Sequence, residues 1–374
     1  MTERPTAGAL VRRAGRITVK IGSSLLADGA GLRSQWLAGL VEDLASLRAE
    51  GAGIIVVSSG AVALGRKQLG LSRSARLEVK QAAAAAGQPL LMGSWAAAFA
   101  RHAVPVAQLL LTFGDTESRR RWLNARATIE TLLDKGAVPI VNENDSVATE
   151  ELRYGDNDRL SARVAQMVRS DVLLLLSDVD GLYSGNPRSR RDAQHIAFVE
   201  QLTPELMDAA GPAHGEGVGT GGMRTKLEAA RIAACFGCST VIGSGQGDHP
   251  IRGLLDGARA TVVAAQGSPA SAYKQWIAAA LAPAGRVAVD TGAAEALRNG
   301  RSLLAAGISA VEGEFGRGEC VSVASGQREI ARGLTGYSAD EIRAIARLRA
   351  SDIAARLGYN RGDAVIHRDD LVLL

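Results

Sequence analysis

Two of the six lysines in this 374-residue chain stand where a compact positive charge could meet a phosphate. The chain has 43 basic residues and 37 of them are arginine, so the rare lysines are informative. A guanidinium is a planar fork, whereas an ammonium is a small point charge. Lys20 and Lys226 are the two flanked by glycine turns. Lys20 closes the apolar run RITVKI and is followed by Gly22, Ser23 and Ser24, whose backbone N–H groups and hydroxyls can turn toward an anion. It stands at the carboxyl end of an expected strand, where ligands bind in open α/β sheets. Lys226 lies in the first turn of a helix fed by HGEGVGTGGMRTKLEAA (214–230). Gly217, Gly219 and Gly222 satisfy G-x-G-x-x-G, but no strand runs into them and no acidic residue ends a second strand, so the dinucleotide fingerprint fails in context. A G-x-x-x-x-G-K-[ST] motif is absent as well. What remains is a glycine loop able to close over nucleotide phosphates.

Three further polar segments accompany the lysines. Ser58, Ser59, Gly60 and Ala61 follow the apolar run GIIVV and precede a helix, and helix N-termini attract carboxylates and phosphates. Asn142, Glu143, Asn144 and Asp145 follow a buried strand, while Asp156, Asn157 and Asp158 open the next helix. Asp158 by itself reads first as an N-cap. Seven such residues in two clusters exceed what a connection needs: carboxamides hold a small polar substrate, and carboxylates orient lysines or a hydrated Mg²⁺. Ser177, Asp178, Val179, Asp180 and Gly181 end the run VLLLL. The five segments together predict nucleotide-dependent phosphoryl transfer in which lysines neutralise the moving charge without a covalent protein intermediate. No Ser-His-Asp order or glycosidase acid pair emerges, and the five histidines lie in unrelated settings.

Elements of strand and helix length alternate so as to place these segments on one sheet edge. Strands are expected at 16–24 with its exit turn, 51–60 with its loop, 104–111, 137–141, 171–176 and 239–243. A helix capped by Ser34 carries Leu37, Leu40, Val41, Leu44 and Leu47 at helical spacing, and others are expected near 117–134, 158–169, 223–236 and 271–281. The continuous apolar run from Val172 to Leu176 implies burial on both faces, hence helices on each side of a mainly parallel sheet. The fold class is therefore α/β, a three-layer sandwich. Residues 1–270 form this nucleotide-binding domain, 271–285 a linker region, and 286–374 a small β-rich module with helices at 293–299 and 338–348.

Composition excludes several other classes. Hydrophobic residues at 47% and charged residues at 22% give a globular chain. Aromatics at 4% count against a base-stacking surface. The net charge of +4 forms no dominating patch: 12 basic residues balance 12 acidic ones from Pro283 onward, and the one block of like charge is Arg119, Arg120 and Arg121. Residues 81–100 are alanine-rich and interrupted by Gly87, Gln88 and Pro89, so they read as two buried helices and no membrane span. The N-terminal MTERPTAGALVRRAG lacks an apolar run, and a cytoplasmic location is expected. Cys235, Cys238 and Cys320 suit a reducing compartment; the C-x-x-C pair has no companion ligands for zinc and reads as two small core residues.

In order along the chain, VKIGSSLL (19–26), VSSGAVALG (57–65), VPIVNENDSVA (138–148), GDNDRLSA (155–162), LLSDVDGLYSGNPR (175–188) and GTGGMRTK (219–226) resemble the amino acid kinase family. Within it the resemblance is nearest to the branch that phosphorylates the side-chain carboxylate of glutamate, and residues 286–364 resemble the PUA domain many of that branch carry. The resemblance implies an amino acid kinase fold, ATP with Mg²⁺ as cofactor, and L-glutamate as substrate. It implies that Lys20 and Lys226 contact the transferred phosphoryl group and that Asp158 orients them. It assigns glutamate to Ser59, Gly60, Asp145 and Asn157, with Asn142 nearby. ATP falls to Lys20, Gly22, Ser177, Asp178, Thr220, Gly221, Gly222, Met223, Arg224, Thr225 and Lys226; no residue is assigned to the metal. Ser58 and Ser177 stand where the family commonly has threonine, hydroxyl for hydroxyl. A homo-oligomer, dimer or tetramer, and proline as feedback inhibitor are further implications, and the N-terminal dozen residues read as an extension without a role. A glutamate carboxylate, with a pKa of about 4.3, is ionised at neutral pH, so the expected nucleophile needs no general base. The alternatives are an RNA-binding protein led by its PUA-like module, and an amino acid kinase acting on another carboxylate.

Overall fold

The computed structural model describes the chain except residues 1–3, 29–30, 73–75, 149–156, 186, 188–189, 191, 211–221, 280–281 and 361. It falls into two compact units, Met1–Glu117 with Ala125–Pro269 and Ser118–Asn124 with Ala270–Leu374.

The first unit is organised by strands β1 (Arg16–Ile21), β2 (Gly53–Val57), β3 (Val106–Leu111), β4 (Val138–Glu143), β5 (Val172–Ser177), β6 (Phe198–Val199), β7 (Ser239–Ser244) and β8 (Ala260–Val263). They form one eight-stranded sheet in the order β6-β8-β7-β5-β1-β2-β4-β3. β7, β5, β1, β2, β4 and β3 run parallel, and β8 lies antiparallel to β7. The chain fills the sheet outward from β1 in two directions, first through β2 and later through β5. The crevice outside the carboxyl ends at such a reversal is where open α/β sheets bind ligands.

Strand alternation divides β5 between two cores. Val172, Leu174 and Leu176 face a cluster with Ile17, Val19 and Ile21 of β1 and Leu37, Leu40 and Leu44 of the helix α2 (Ser34–Ala49). Leu173 and Leu175 face Ala162, Ala165, Leu227 and Ala230 of the helices Asn157–Met167 and Met223–Cys235. Helices thus cover both faces and the three-layer arrangement expected from the sequence is present.

Four local expectations change. The residues ahead of β1 are no idle extension: α1 (Ala7–Arg13) is capped by the Thr6 hydroxyl and buries Ala7, Gly8 and Val11. Arg12 donates to the Leu255 carbonyl at 3.5 Å. Ser34 is the first residue of α2, whose cap position is Arg33, with no side-chain capping bond. After β2 and the short helix α3 (Ala61–Gln68), residues 81–100 are not two helices but part of one, α4 (Leu77–Ala100), with Pro89 inside it. Proline deprives the Ala85 carbonyl of its helical partner, and Ala85 is exposed, so water can take that place. Leu91, Trp95 and Phe99 recur every fourth residue and bury one face, with the two rings stacked at 6.0 Å. Finally, Cys238 is a core residue but Cys235 is exposed, and burial pushes the Cys238 thiol up from its ordinary value.

No helix among the described residues is long and apolar enough to cross a membrane. In the second unit Gly285–Val289, Ile308–Glu312, Cys320–Ser325, Arg328–Leu334 and Leu371–Leu373 form a five-stranded sheet. Two of its helices, Thr291–Arg298 and Ala339–Ile345, are capped by Asp290 and by a Ser338–Glu341 capping box. Val287, Val321, Val323, Ile342, Tyr337 and Val365 lie in its core, and the Tyr337 hydroxyl donates to the Gly362 carbonyl at 2.8 Å.

Candidate active site

Lys20 reaches the site because β1 is central. It pairs in register with Val57 of β2 on one side and Leu175 of β5 on the other, one residue from the strand end. Alternation puts Thr18 and Lys20 on the same face. The helix α5 (Asn157–Met167) covers that face, and just past its end the Ser170 hydroxyl meets that of Thr18 at 2.8 Å. From its first turn Asp158 meets the Lys20 ammonium, Oδ1 to Nζ, at 2.5 Å. Asp158 is thus the second residue of α5 rather than its cap, and its side chain is fully buried.

The second lysine arrives from α6 (Met223–Cys235), which packs against α5. Lys226 Nζ lies 3.4 Å from Asp158 Oδ2, and the Thr225 hydroxyl lies 3.0 Å from the same oxygen. The Gly222 carbonyl lies 2.8 Å from the same hydroxyl, whose single proton is shared between the first turn of α6 and Asp158. Lys20 and Lys226 are each about 5% exposed. One carboxylate thus ties together two ammonium groups 206 residues apart in sequence, leaving one net positive charge beside the sheet edge. Charges taken this far from water persist only when paired and hydrogen-bonded.

On the other side of Asp158 the chemistry is neutral. The two N–H groups of Asn157 Nδ2 are shared among three acceptors, the Ser58 carbonyl at 2.8 Å, the Ser59 hydroxyl at 2.7 Å and Asn142 Oδ1 at 3.0 Å. The Glu143 N–H also donates to Asn142 Oδ1, at 2.9 Å. Gly60 follows in a left-handed conformation, φ +105°, which a side chain would strain, and it opens α3. Asp145 is half-buried in the turn after β4.

The remaining assigned residues occupy the adjoining strand ends. The Gly22 N–H donates to the Leu176 carbonyl at 3.4 Å. Ser177 donates its hydroxyl to Asp178 Oδ1 at 3.0 Å. Met223 and Arg224 begin α6, where Arg224 lies 3.7 Å from Glu228. Thr220 and Gly221, with Gly217, Gly219 and Asp156, fall outside the described residues.

Three participants escaped the sequence reading. Gly245 follows β7, gives its N–H to the Ser177 carbonyl at 2.7 Å, and is held by the Trp36 indole N–H on its own carbonyl at 2.8 Å. Trp95 of α4 donates to the Ser58 hydroxyl at 3.1 Å. Gln88 of the same helix accepts from Asn142 Nδ2 at 2.9 Å. Nothing local marks them, since their partners lie tens to hundreds of residues away. The Gly-Gln-Pro interruption was the one visible sign, and it reads first as a helix break.

Residues 15–244 match the model of the amino acid kinase family, and residues 285–357 that of the PUA domain. The chain is 55% identical over 364 residues to a glutamate 5-kinase of Caulobacter vibrioides strain NA1000 / CB15N, covering 96% of each. It is 53% identical to glutamate 5-kinase 1 of Rhizobium meliloti strain 1021, covering 96% of this chain and 92% of that one. A glutamate 5-kinase of Paramagnetospirillum magneticum is 52% identical, with 96% and 97% covered. The resemblance carried by the six motifs is borne out: the chain belongs to the amino acid kinase family, with a PUA domain following its kinase region.

Proposed function

We propose that this chain transfers the γ-phosphoryl group of ATP to the side-chain carboxylate of L-glutamate, giving L-glutamyl 5-phosphate and ADP, the first step of proline biosynthesis. Its full-length likeness to glutamate 5-kinases supports the reaction. The structural observation that carries the reading is the meeting, on neighbouring residues Asn157 and Asp158, of a carboxamide cluster with a buried lysine–aspartate–lysine cluster.

In the reaction a glutamate carboxylate oxygen forms a bond to the γ-phosphorus while the bond to the β,γ-bridging oxygen breaks, its electron pair leaving with ADP. The attacking group is already ionised, so the protein's work is to bring two anions together. Lys20 and Lys226 supply charge where it concentrates in the transition state, and Asp158 holds both ammonium groups in place beforehand, so no reorganisation is needed during transfer. Ser59, Gly60, Asn142, Asp145 and Asn157 take the amino acid. Gly22, Ser177, Asp178 and the segment from Thr220 to Lys226 take the nucleotide.

Among the described residues no group of three His, Cys, Asp or Glu could cage a metal, and Asp158 has both oxygens on lysines. Mg²⁺ brought with ATP would neutralise charge on the nucleotide, needing only one or two carboxylates beside the phosphates and water rather than a cage of protein ligands. A homo-oligomeric assembly, inhibition by proline and a cytoplasmic setting belong to the same reading.

Incubation with ATP, Mg²⁺ and glutamate, N-acetylglutamate or aspartate, with hydroxylamine to trap acyl phosphate, tests it. Hydroxamate from glutamate alone is expected. Product from another acid only moves the specificity within the family. Absence of product with all three overturns the reading and favours RNA binding led by the PUA domain.

A further inference from the structure

The carboxamides at the site form a chain with a direction. From the site outward, Asn157 Nδ2 donates to Asn142 Oδ1, Asn142 Nδ2 to Gln88 Oε1, and Gln88 Nε2 to Gln108 Oε1, at 3.0, 2.9 and 3.0 Å. Two backbone groups fix that sense. The Glu143 N–H can only donate, so Asn142 must present its oxygen there; the Ser58 carbonyl can only accept, so Asn157 must present its nitrogen. Asn142 then has only its amino group for Gln88. Gln88 must show its oxygen inward and its nitrogen outward, toward the exposed Gln108 on β3. With Nδ2 so engaged, Asn157 keeps its Oδ1 as an acceptor.

Gln88 reaches Asn142 because α3 and α4 nearly touch. A Cβ on Gly87 would lie 1.9 Å from the Ala61 carbonyl oxygen, and one on Gly65 would lie 1.7 Å from that of Ala83. No other residue pair permits this approach.

We propose that Gln88 is a positioning residue: its carboxamide, anchored outward on Gln108, adds to the two backbone groups in holding Asn142 and Asn157 turned so that Asn157 Oδ1 accepts from the ammonium group of an amino-acid substrate. The proposal rests on the reading of Asn157 as a substrate residue. It makes the relay a selector for a free amine over an acylated one, since an amide N–H has one donor and no charge.

The test uses the full-length protein and steady-state kinetics with glutamate and ATP varied separately. Gln88→Leu removes both bonds at similar volume and should raise the glutamate KM about tenfold with the ATP KM unchanged. Gln88→Glu retains the acceptor for Asn142 and should restore KM to within about threefold of wild type. Gln108 is exposed, so its variants fold irrespective of Gln88. Gln108→Glu preserves the sense of the chain and should leave KM alone. Gln108→Lys offers a donor, turns the Gln88 amino group toward that of Asn142, and should raise KM about threefold. Simple attraction between a lysine there and an anionic substrate gives the opposite sign. A glutamate KM unchanged in Gln88→Leu, or lowered in Gln108→Lys, overturns the relay. Asn157→Ala separates the two failures: an unchanged KM overturns the substrate role of Asn157 and the relay with it, whereas a raised KM without response at 88 or 108 overturns the relay alone.

Discussion

Asn157 and Asp158 are adjacent in the first turn of α5, yet they serve clusters of opposite character. Asp158 joins two ammonium groups in a site nearly closed to water. Asn157 joins a hydroxyl, a carbonyl and a second carboxamide, with no charge among them. Attraction between whole charges falls off slowly and has no preferred direction, so the lysine cluster needs proximity and pairing more than fine alignment. Hydrogen bonds between neutral groups weaken steeply with angle. The carboxamide cluster therefore depends on a supporting shell from α4: Gln88 against Asn142, Trp95 against Ser58, and Gly87 setting the helix spacing. Charge handling needs few residues, and recognition needs a scaffold around them.

That contrast can be broken at its strongest point first. Asp158→Ala leaves two buried ammonium groups facing each other and is expected to cost about 3–5 kcal/mol of stability, read by chemical denaturation, with turnover lost. Lys226→Ala leaves Lys20 and Asp158 as a neutral pair, so folding should suffer far less while kcat falls roughly 10²–10³-fold, as for loss of one preorganised charge donor. Steady-state assays beside a melting curve separate the two effects. Gly87→Ala drives a methyl group into the Ala61 carbonyl; the expected loss is about 3 kcal/mol of stability, read by chemical denaturation, with glutamate KM rising and ATP KM unmoved. Asn157→Ala should raise glutamate KM roughly tenfold at little cost in stability. The smallest effect is expected for Trp95→Phe, which keeps the stacked ring and drops one N–H bond to Ser58; a loss of about 1 kcal/mol without change in ATP KM would place it in the supporting shell.

The charged cluster was far more legible in the sequence than its neutral neighbour. Lys20 and Lys226 stood out because lysine is scarce here and both lie beside glycine turns. Asp158 announced itself less clearly, since an acidic residue opening a helix is also an ordinary cap. Asn142 and Asn157 were visible within polar runs at strand and helix ends. Their support was not. Gln88 and Trp95 lie in an alanine-rich segment whose Gly-Gln-Pro interruption reads as a break, and only the packing of α4 on α3 shows that Gly87 belongs to a helix crossing. α1 went unread for a related reason: seven residues make too weak a periodic signal, and its burial comes from elements some 240 residues later.

The sequence by itself determined the residue types, the alternation of strand and helix, and the order of motifs, because these follow from local propensity and from the spacing of apolar residues along one chain. Tertiary structure alone decided which groups meet. It brought Lys226 to the carboxylate that already holds Lys20, and it gave the carboxamides a sense that ends at Gln108. Those outcomes depend on helices crossing a sheet at set distances and on which end of an amide faces a backbone N–H, and neither is a property of any one stretch of residues.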